Sequence, residues 1–249
     1  MIIQLVSYIL DLVSNDKINI TADIINNSKA DLIFFPGNTL DCIDDAFDVE
    51  SLVKNRKSTA LIEISQMSIG DLNTEIIHCP FLIKKGKLVN MHTFQHFTTS
   101  AVIESNPFLA ETFVNELETR RIFDVQGQKC LLLQCGENNI LKNNQSDDNN
   151  VEVRIEDKSL VQRFKNVLKG TDIVLNSIHK PQPGNQNKLH KRREYFSRDK
   201  RVYLSTNNCD ELSSTAKSIQ YAYINGQQIE NPEPIMDDNG LFMYRIYEV

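Results

Sequence analysis

Short apolar runs, each stopped by turn formers and separated by stretches of helical spacing, leave this chain few architectures. Leu32 to Phe35 ends at Pro36 and Gly37, and Cys130 to Leu133 runs on to Cys135 and Gly136. Thr59 to Ile64 and Asp172 to Asn176 each follow a helical stretch. Runs of this length and flanking suit strands buried on both faces. Helices are predicted over about 15–28, 41–54, 107–117 and 158–169, and Leu160, Val161, Phe164, Val167 and Leu168 line one side of the last. Strands interleaved with helices define an α/β chain. Hairpin signals at Lys84 to Lys87, with Gly86 in the turn, and at Asn225-Gly226 make the sheets mixed rather than purely parallel. Further strands are predicted over 2–9, 122–125, 202–205 and 241–249. No internal repeat or linker divides the sequence, so residues 1–249 are read as a single domain.

Composition removes several classes. A net charge of −6 argues against a general nucleic-acid binder. No apolar stretch reaches the roughly 18 residues of a membrane span. The opening MIIQLVSYIL lacks a basic flank and a small-residue cleavage site, and reads as a first core strand rather than a secretory signal. The five cysteines, Cys42, Cys79, Cys130, Cys135 and Cys209, show no metal-site spacing. Cys130 and Cys135 on one strand would lie roughly 16 Å apart, too far to bridge. Scattered free thiols fit a reducing, cytoplasmic setting. No metal and no cofactor is expected.

Cys135 closes an apolar run, and in layered α/β folds pockets open where strands end. A buried structural thiol is the competing reading. From Asn138 to Asn150 the sequence is almost entirely polar and predicts a mobile loop. The basic stretch Lys188 to Arg201 carries Tyr195 and Phe196, a composition that can contact phosphate. Glu194 and Asp199 interrupt it, and it is read as a helix solvated on one face or paired with acidic residues elsewhere.

In order, the segments ADLIFFPG, the hairpin at Gly86, KCLLLQCGEN, TDIVLNS, RREYFSRDKRVYLSTNN and the closing hairpin resemble the nitrilase (carbon-nitrogen hydrolase) superfamily over essentially the whole chain. The resemblance implies an αββα sandwich of two mixed β-sheets flanked by helices, with Cys135 at the nucleophile position. The family's mechanism adds a glutamate as general base and a lysine that steadies the oxyanion. Here the glutamate position is Gly37, the lysine register falls on Gln95, and no lysine lies between Lys87 and Lys129. Losing a general base costs about 10²- to 10⁴-fold and losing an oxyanion donor about 10²- to 10³-fold.

Residues that would surround the thiol are Gly37, Gln95, His96, Glu137, Asn138, His179 and Lys180, and His92 or His96 is a conceivable substitute base. The leading reading is therefore a divergent member with lost or strongly altered hydrolysis, acting through a retained pocket or as a scaffold for a protein partner. The alternative is an active, atypical thiol amidase using Cys135 on a small amide or nitrile. A cavity holding Cys135 beside a carboxylate or imidazole would favour the alternative. Pairing of copies through helical faces is a further implication of the resemblance.

Overall fold

The computed structural model describes residues 1–9, 12–67, 76–144, 151–179, 186–208 and 219–249. The first half runs β1 (Ile2–Tyr8), α1 (Ser14–Asn27), β2 (Leu32–Phe34), α2 (Ile43–Leu52), β3 (Thr59–Met67), β4 (Ile76–Lys84), β5 (Lys87–Asn90), α3 (Ser100–Ser105) and α4 (Pro107–Thr119). The second runs β6 (Ile122–Val125), β7 (Gln128–Leu133), a 3-10 turn (Glu137–Ile140), β8 (Leu141–Asn143), β9 (Val151–Val153), α5 (Lys158–Lys169) and β10 (Ile173–Ile178). It closes with α6 (Gln186–Phe196), β11 (Val202–Asn207), β12 (Gln220–Ile224), β13 (Gln227–Gln228), β14 (Ile235–Met236) and β15 (Phe242–Glu248). Among the described residues no helix is long and apolar enough to cross a membrane.

Two mixed sheets result, one of seven strands ordered β14-β15-β1-β2-β3-β4-β5 and one of six ordered β13-β12-β11-β10-β7-β6. The strands read as unbroken apolar runs because both faces are covered. Ile3, Leu5, Phe34 and Leu61 of the first sheet meet Leu132, Leu175 and Leu204 of the second in one buried cluster. The alternate side chains Val6, Ile33 and Ile62 pack with Ile25 of α1 and Val49 of α2. On the outer side of the second sheet, Leu131, Leu133 and Val174 pack with Phe113 of α4 and Phe164 of α5. This is the αββα sandwich, helices outside and sheets face to face.

Local chemistry sets the element ends. Asp157 caps α5 by accepting from the backbone of Ser159 and Leu160, and Asn106 caps α4, which opens with Pro107. Asn225 and Gly226 take φ of 51° and 79°, the pair of positive values a type I′ hairpin requires.

Three expectations are corrected. The strand predicted to carry Cys135 stops at Leu133, so the thiol sits in the corner beyond it. The polar segment after Cys135 is not a loose loop as far as Asn143: Asn138, Ile140 and Leu141 are buried, and β8 pairs with β9. Residues 145–150 of that segment lie outside the described residues. The basic helix has its solvated face, at 187 and 188, but not all of its charge lies there, since Arg192 and Arg193 are 7% and 2% exposed.

Candidate active site

The C-terminal ends of β2, β3, β7, β10 and β11 converge on one region, the place where α/β sheets open pockets. Cys135 reaches it through a tight corner. Gly136 has φ +83°, and a Cβ there would lie 2.6 Å from the Thr98 Cα, so both the conformation and the close approach demand glycine. Two side chains, buried Glu137 and half-buried Gln95, then clamp the corner. Glu137 accepts the backbone N–H of Gln134 at 2.8 Å and of His96 at 3.0 Å, and takes Arg121 through both oxygens, at 2.5 and 3.0 Å. Gln95 Nε2 donates to the carbonyls of Cys135 and Phe97.

Beside the thiol stands a buried ion-pair cluster. Glu63 shares a β3 face with Leu61, which points between the sheets, and is 2% exposed. Its Oε1 lies 2.6 Å from His179 Nε2 and accepts the Asn38 backbone N–H at 3.0 Å. Its Oε2 accepts from Gln134 Nε2 at 2.9 Å and Ser177 Oγ at 3.2 Å. Burial alone would raise this carboxyl, but the charge and hydrogen bond of His179, helped by His78 and Gln134, hold it down at about 2. Burial likewise opposes the charge on His179. The Glu63 carboxylate and a hydrogen bond with the Cys135 side chain override it and lift His179 to about 10.

His78 stacks on that imidazolium with ring centroids 3.9 Å apart, while its Nδ1 lies 3.0 Å from Ser65 Oγ. Burial, then the neighbouring His179 charge, keep His78 below its ordinary value despite Glu63, so the stacked pair carries one charge rather than two. Among the described residues, Glu63, His78 and His179 are also the group whose ligand atoms, all within 4.8 Å, cluster closely enough for a metal ion. The 2.6 Å contact has the length of a charge-assisted hydrogen bond, and the proton it needs occupies the nitrogen a metal would take.

Gly37 explains how His179 fits. A Cβ on Gly37 would lie 2.0 Å from His179 Cδ2 and 3.1 Å from Glu63 Oε1, so the imidazole fills the volume a side chain at position 37 would need.

Cys135 opens onto a cavity of about 410 Å³ whose lining includes Thr98, Asn138, Asn176, Asn207, Arg154 and Arg192. That volume suits a small molecule.

The residues named from sequence divide accordingly. His179 reaches Cys135 directly, Gly37 borders His179, and Asn138 lines the cavity. Gln95 holds the Cys135 backbone rather than facing the cavity as a substitute for the lysine. His96 points away, its Nε2 2.8 Å from Glu116 Oε2, and Glu137 is locked against Arg121, so neither lines the pocket. Lys180 lies outside the described residues. Glu63, His78, Arg154 and Arg192 were not anticipated. For Glu63 a signal existed: a lone carboxylate inside a run buried on both faces must find a partner.

The architecture is that of nitrilase-superfamily amidases. No protein-family model matches the sequence, and no curated protein does. Solved structures do match. A mutant of the Nesterenkonia AN1 amidase from the nitrilase superfamily superposes with a TM-score of 0.56 at 10% identity, over 99% of this chain and 90% of that one. A second mutant of that amidase, with acrylamide added at its active site cysteine, gives 0.54 at 10% identity over 98% and 92%. A glutamine-dependent NAD(+) synthetase from Cytophaga hutchinsonii gives 0.56 at 11% identity, over 99% of this chain and 42% of that longer one.

Proposed function

We propose that this protein hydrolyses a non-peptide carbon-nitrogen bond in a small molecule, with Cys135 as nucleophile, His179 as its proton partner and Glu63 as the group that orients and charges the imidazole. One observation carries the reading: His179 lies 2.6 Å from Glu63 in the volume left by Gly37, with the Cys135 side chain among the groups that raise it. Of the two readings the sequence left open, this favours the active, atypical thiol amidase over the scaffold. Position 37, where the resemblance would put a glutamate, is glycine, and a nucleophile, a base and an orienting carboxylate are set in the general Cys-His pattern on this reading.

An imidazolium beside a sulfur is the setting in which cysteine reacts as thiolate. The sulfur attacks the amide carbon and forms a C–S bond. As the C–N bond breaks, His179 gives its proton to the leaving nitrogen and the amine departs. Water then gives a proton to His179 and attacks the thioester, the C–S bond breaks, and the acid leaves. The thiolate–imidazolium pair is restored, and the net change is amide plus water to acid plus amine. Glu63 keeps one imidazole nitrogen occupied throughout, so the ring cannot turn away.

The test is alkylation of the native protein by iodoacetamide at pH 7, followed residue by residue by mass spectrometry, together with ammonia release from small primary amides. Cys135 should react well ahead of the part-exposed Cys42 and Cys79. Equal reactivity of the three thiols, or a Cys135 that does not react, would sink the proposal. The same reading includes pairing of copies through helical faces, where Phe47 on α2 and Phe108 on α4 are 54% and 78% exposed. Sedimentation at several concentrations checks this.

A further inference from the structure

We infer that Glu63, His78 and His179 form a binding site for a divalent transition-metal ion of the zinc class, held by two imidazole nitrogens and one carboxylate oxygen. The ion and the proton between Glu63 and His179 are alternative occupants of one place. The inference does not depend on the chemistry of Cys135.

Donor type and spacing are the first argument. Glu63 Oε1 lies 2.6 Å from His179 Nε2 and 3.5 Å from His78 Nδ1, and the three ligand atoms fall within 4.8 Å of one another. Zinc takes imidazole nitrogen and carboxylate oxygen at about 2.0–2.2 Å, which sets tetrahedral ligand atoms roughly 3.3–3.6 Å apart. The His78 contact already has that spacing. The His179 contact is shorter because a shared proton draws the two atoms together. Without the proton that contact has no reason to stay short, and an opening of about 0.7 Å gives His179 the same spacing. Ligands shed protons when they take up a metal, so one occupant replaces the other in the ordinary course of binding.

The second argument is the support around the donors. Carboxylates that bind metals are themselves held by hydrogen bonds. Glu63 Oε2 accepts from Gln134 Nε2 and Ser177 Oγ at 2.9 and 3.2 Å, and the Asn38 backbone N–H reaches Oε1 at 3.0 Å. These neutral donors fix the carboxylate and leave Oε1 as the atom that meets both rings. Among the described residues no lysine or arginine pairs with Glu63. The other buried acid–imidazole pair, Glu116 with His96, has Arg120 and Arg121 beside it and would repel a dication.

Access is the third argument. His78 lines a second cavity, of about 360 Å³, with Ser65, Asn38 and Asp41, the last paired with Lys17. Cys135 lines the first cavity and not this one. An ion therefore reaches the donors from the side away from the thiol. The His78 and His179 rings are tilted by 38°, and the second cavity gives His78 the room to turn out of the stack until both nitrogens face the ion.

Calorimetric titration of metal-free Cys135→Ser protein with Zn²⁺ and with Mg²⁺ tests this, and removing the thiol keeps it from supplying the binding. One Zn²⁺ should bind per chain, at least a hundredfold more tightly than Mg²⁺, which prefers oxygen ligands. His78→Gln in the same background should weaken Zn²⁺ binding at least tenfold. Co²⁺ added to the native protein reports the ligands directly: it should give the visible absorption of a nitrogen and oxygen site without the intense sulfur-to-cobalt band. Absence of Zn²⁺ binding, equal binding of Mg²⁺, indifference to His78→Gln, or a sulfur band with Co²⁺ would overturn the inference. The cobalt spectrum stands even if His78→Gln fails to fold. One-to-one Zn²⁺ binding beside an unreactive Cys135 would uphold the metal site and overturn the thiol mechanism alone.

Discussion

Glu63 with His179 and Glu116 with His96 are two buried carboxylate–imidazole pairs near the same cysteine, with contacts of 2.6 and 2.8 Å. The first pair reaches the thiol. The second is enclosed: Glu116 also takes Thr93 Oγ1, and Arg120 and Arg121 approach it at 3.4 and 4.0 Å. Burial would raise the Glu116 carboxyl, but the hydrogen bonds of Thr93 and His96 hold it below its ordinary value. The same two residue types therefore form one pair beside the sulfur and another that braces the neighbouring loop. What separates them is the kind of partner that completes each carboxylate: neutral donors from Asn38, Gln134 and Ser177 at Glu63, and two arginines beside Thr93 at Glu116.

Substitutions should part the two roles. His179→Gln should slow alkylation of Cys135 on the order of 10²- to 10⁴-fold at pH 7, the usual weight of an acid–base group. Arg121→Leu should act on folding, because it strands Glu137 as an unpaired buried charge. Urea denaturation should show a loss of about 3–5 kcal/mol. Gly37→Ala should displace His179, and a shift of about 1 Å in a reacting group costs on the order of 10²-fold or less, read in the same alkylation assay. His96→Gln should leave the Cys135 rate within about threefold while lowering stability by about 1–3 kcal/mol as Glu116 loses a hydrogen bond.

The subtlest contrast is in pH. His179 is raised in the folded protein from 6.5 to about 10, so its contribution to stability is complete below about pH 6.5 and is lost as pH rises through 10. Glu63 is lowered from 4.5 to about 2, so its contribution is complete above 4.5 and is lost as pH falls through 2. The pair stabilises most between those limits. Urea midpoints measured from pH 6 to 10 should decline less steeply in His179→Gln than in the parent, and parallel curves would remove His179 from the ion pair.

Much of the sandwich could be read from the chain because local chemistry speaks for it. Apolar runs halted at Pro36-Gly37 and Cys135-Gly136, and the turn pair Asn225-Gly226, mark strand ends without knowledge of neighbours. The site was legible only in part. Cys135 and His179 announce themselves as reactive residues at strand ends, but the partner that gives His179 its charge lies 116 residues away on another sheet. Register across the sandwich makes that contact, and single-sequence periodicity carries no register between sheets. Likewise the composition of 188–201 shows a basic helix, but not that Arg192 turns inward to a cavity.

The close fit at Gly37 also bears on which substitutions the site can take together. Position 37 and residue 179 compete for one volume, so a side chain at 37 collides with the imidazole while His179 remains, and removing His179 leaves Glu63 buried without its counter-ion. The two positions are therefore coupled, and the effect of changing both departs from the sum of the single changes.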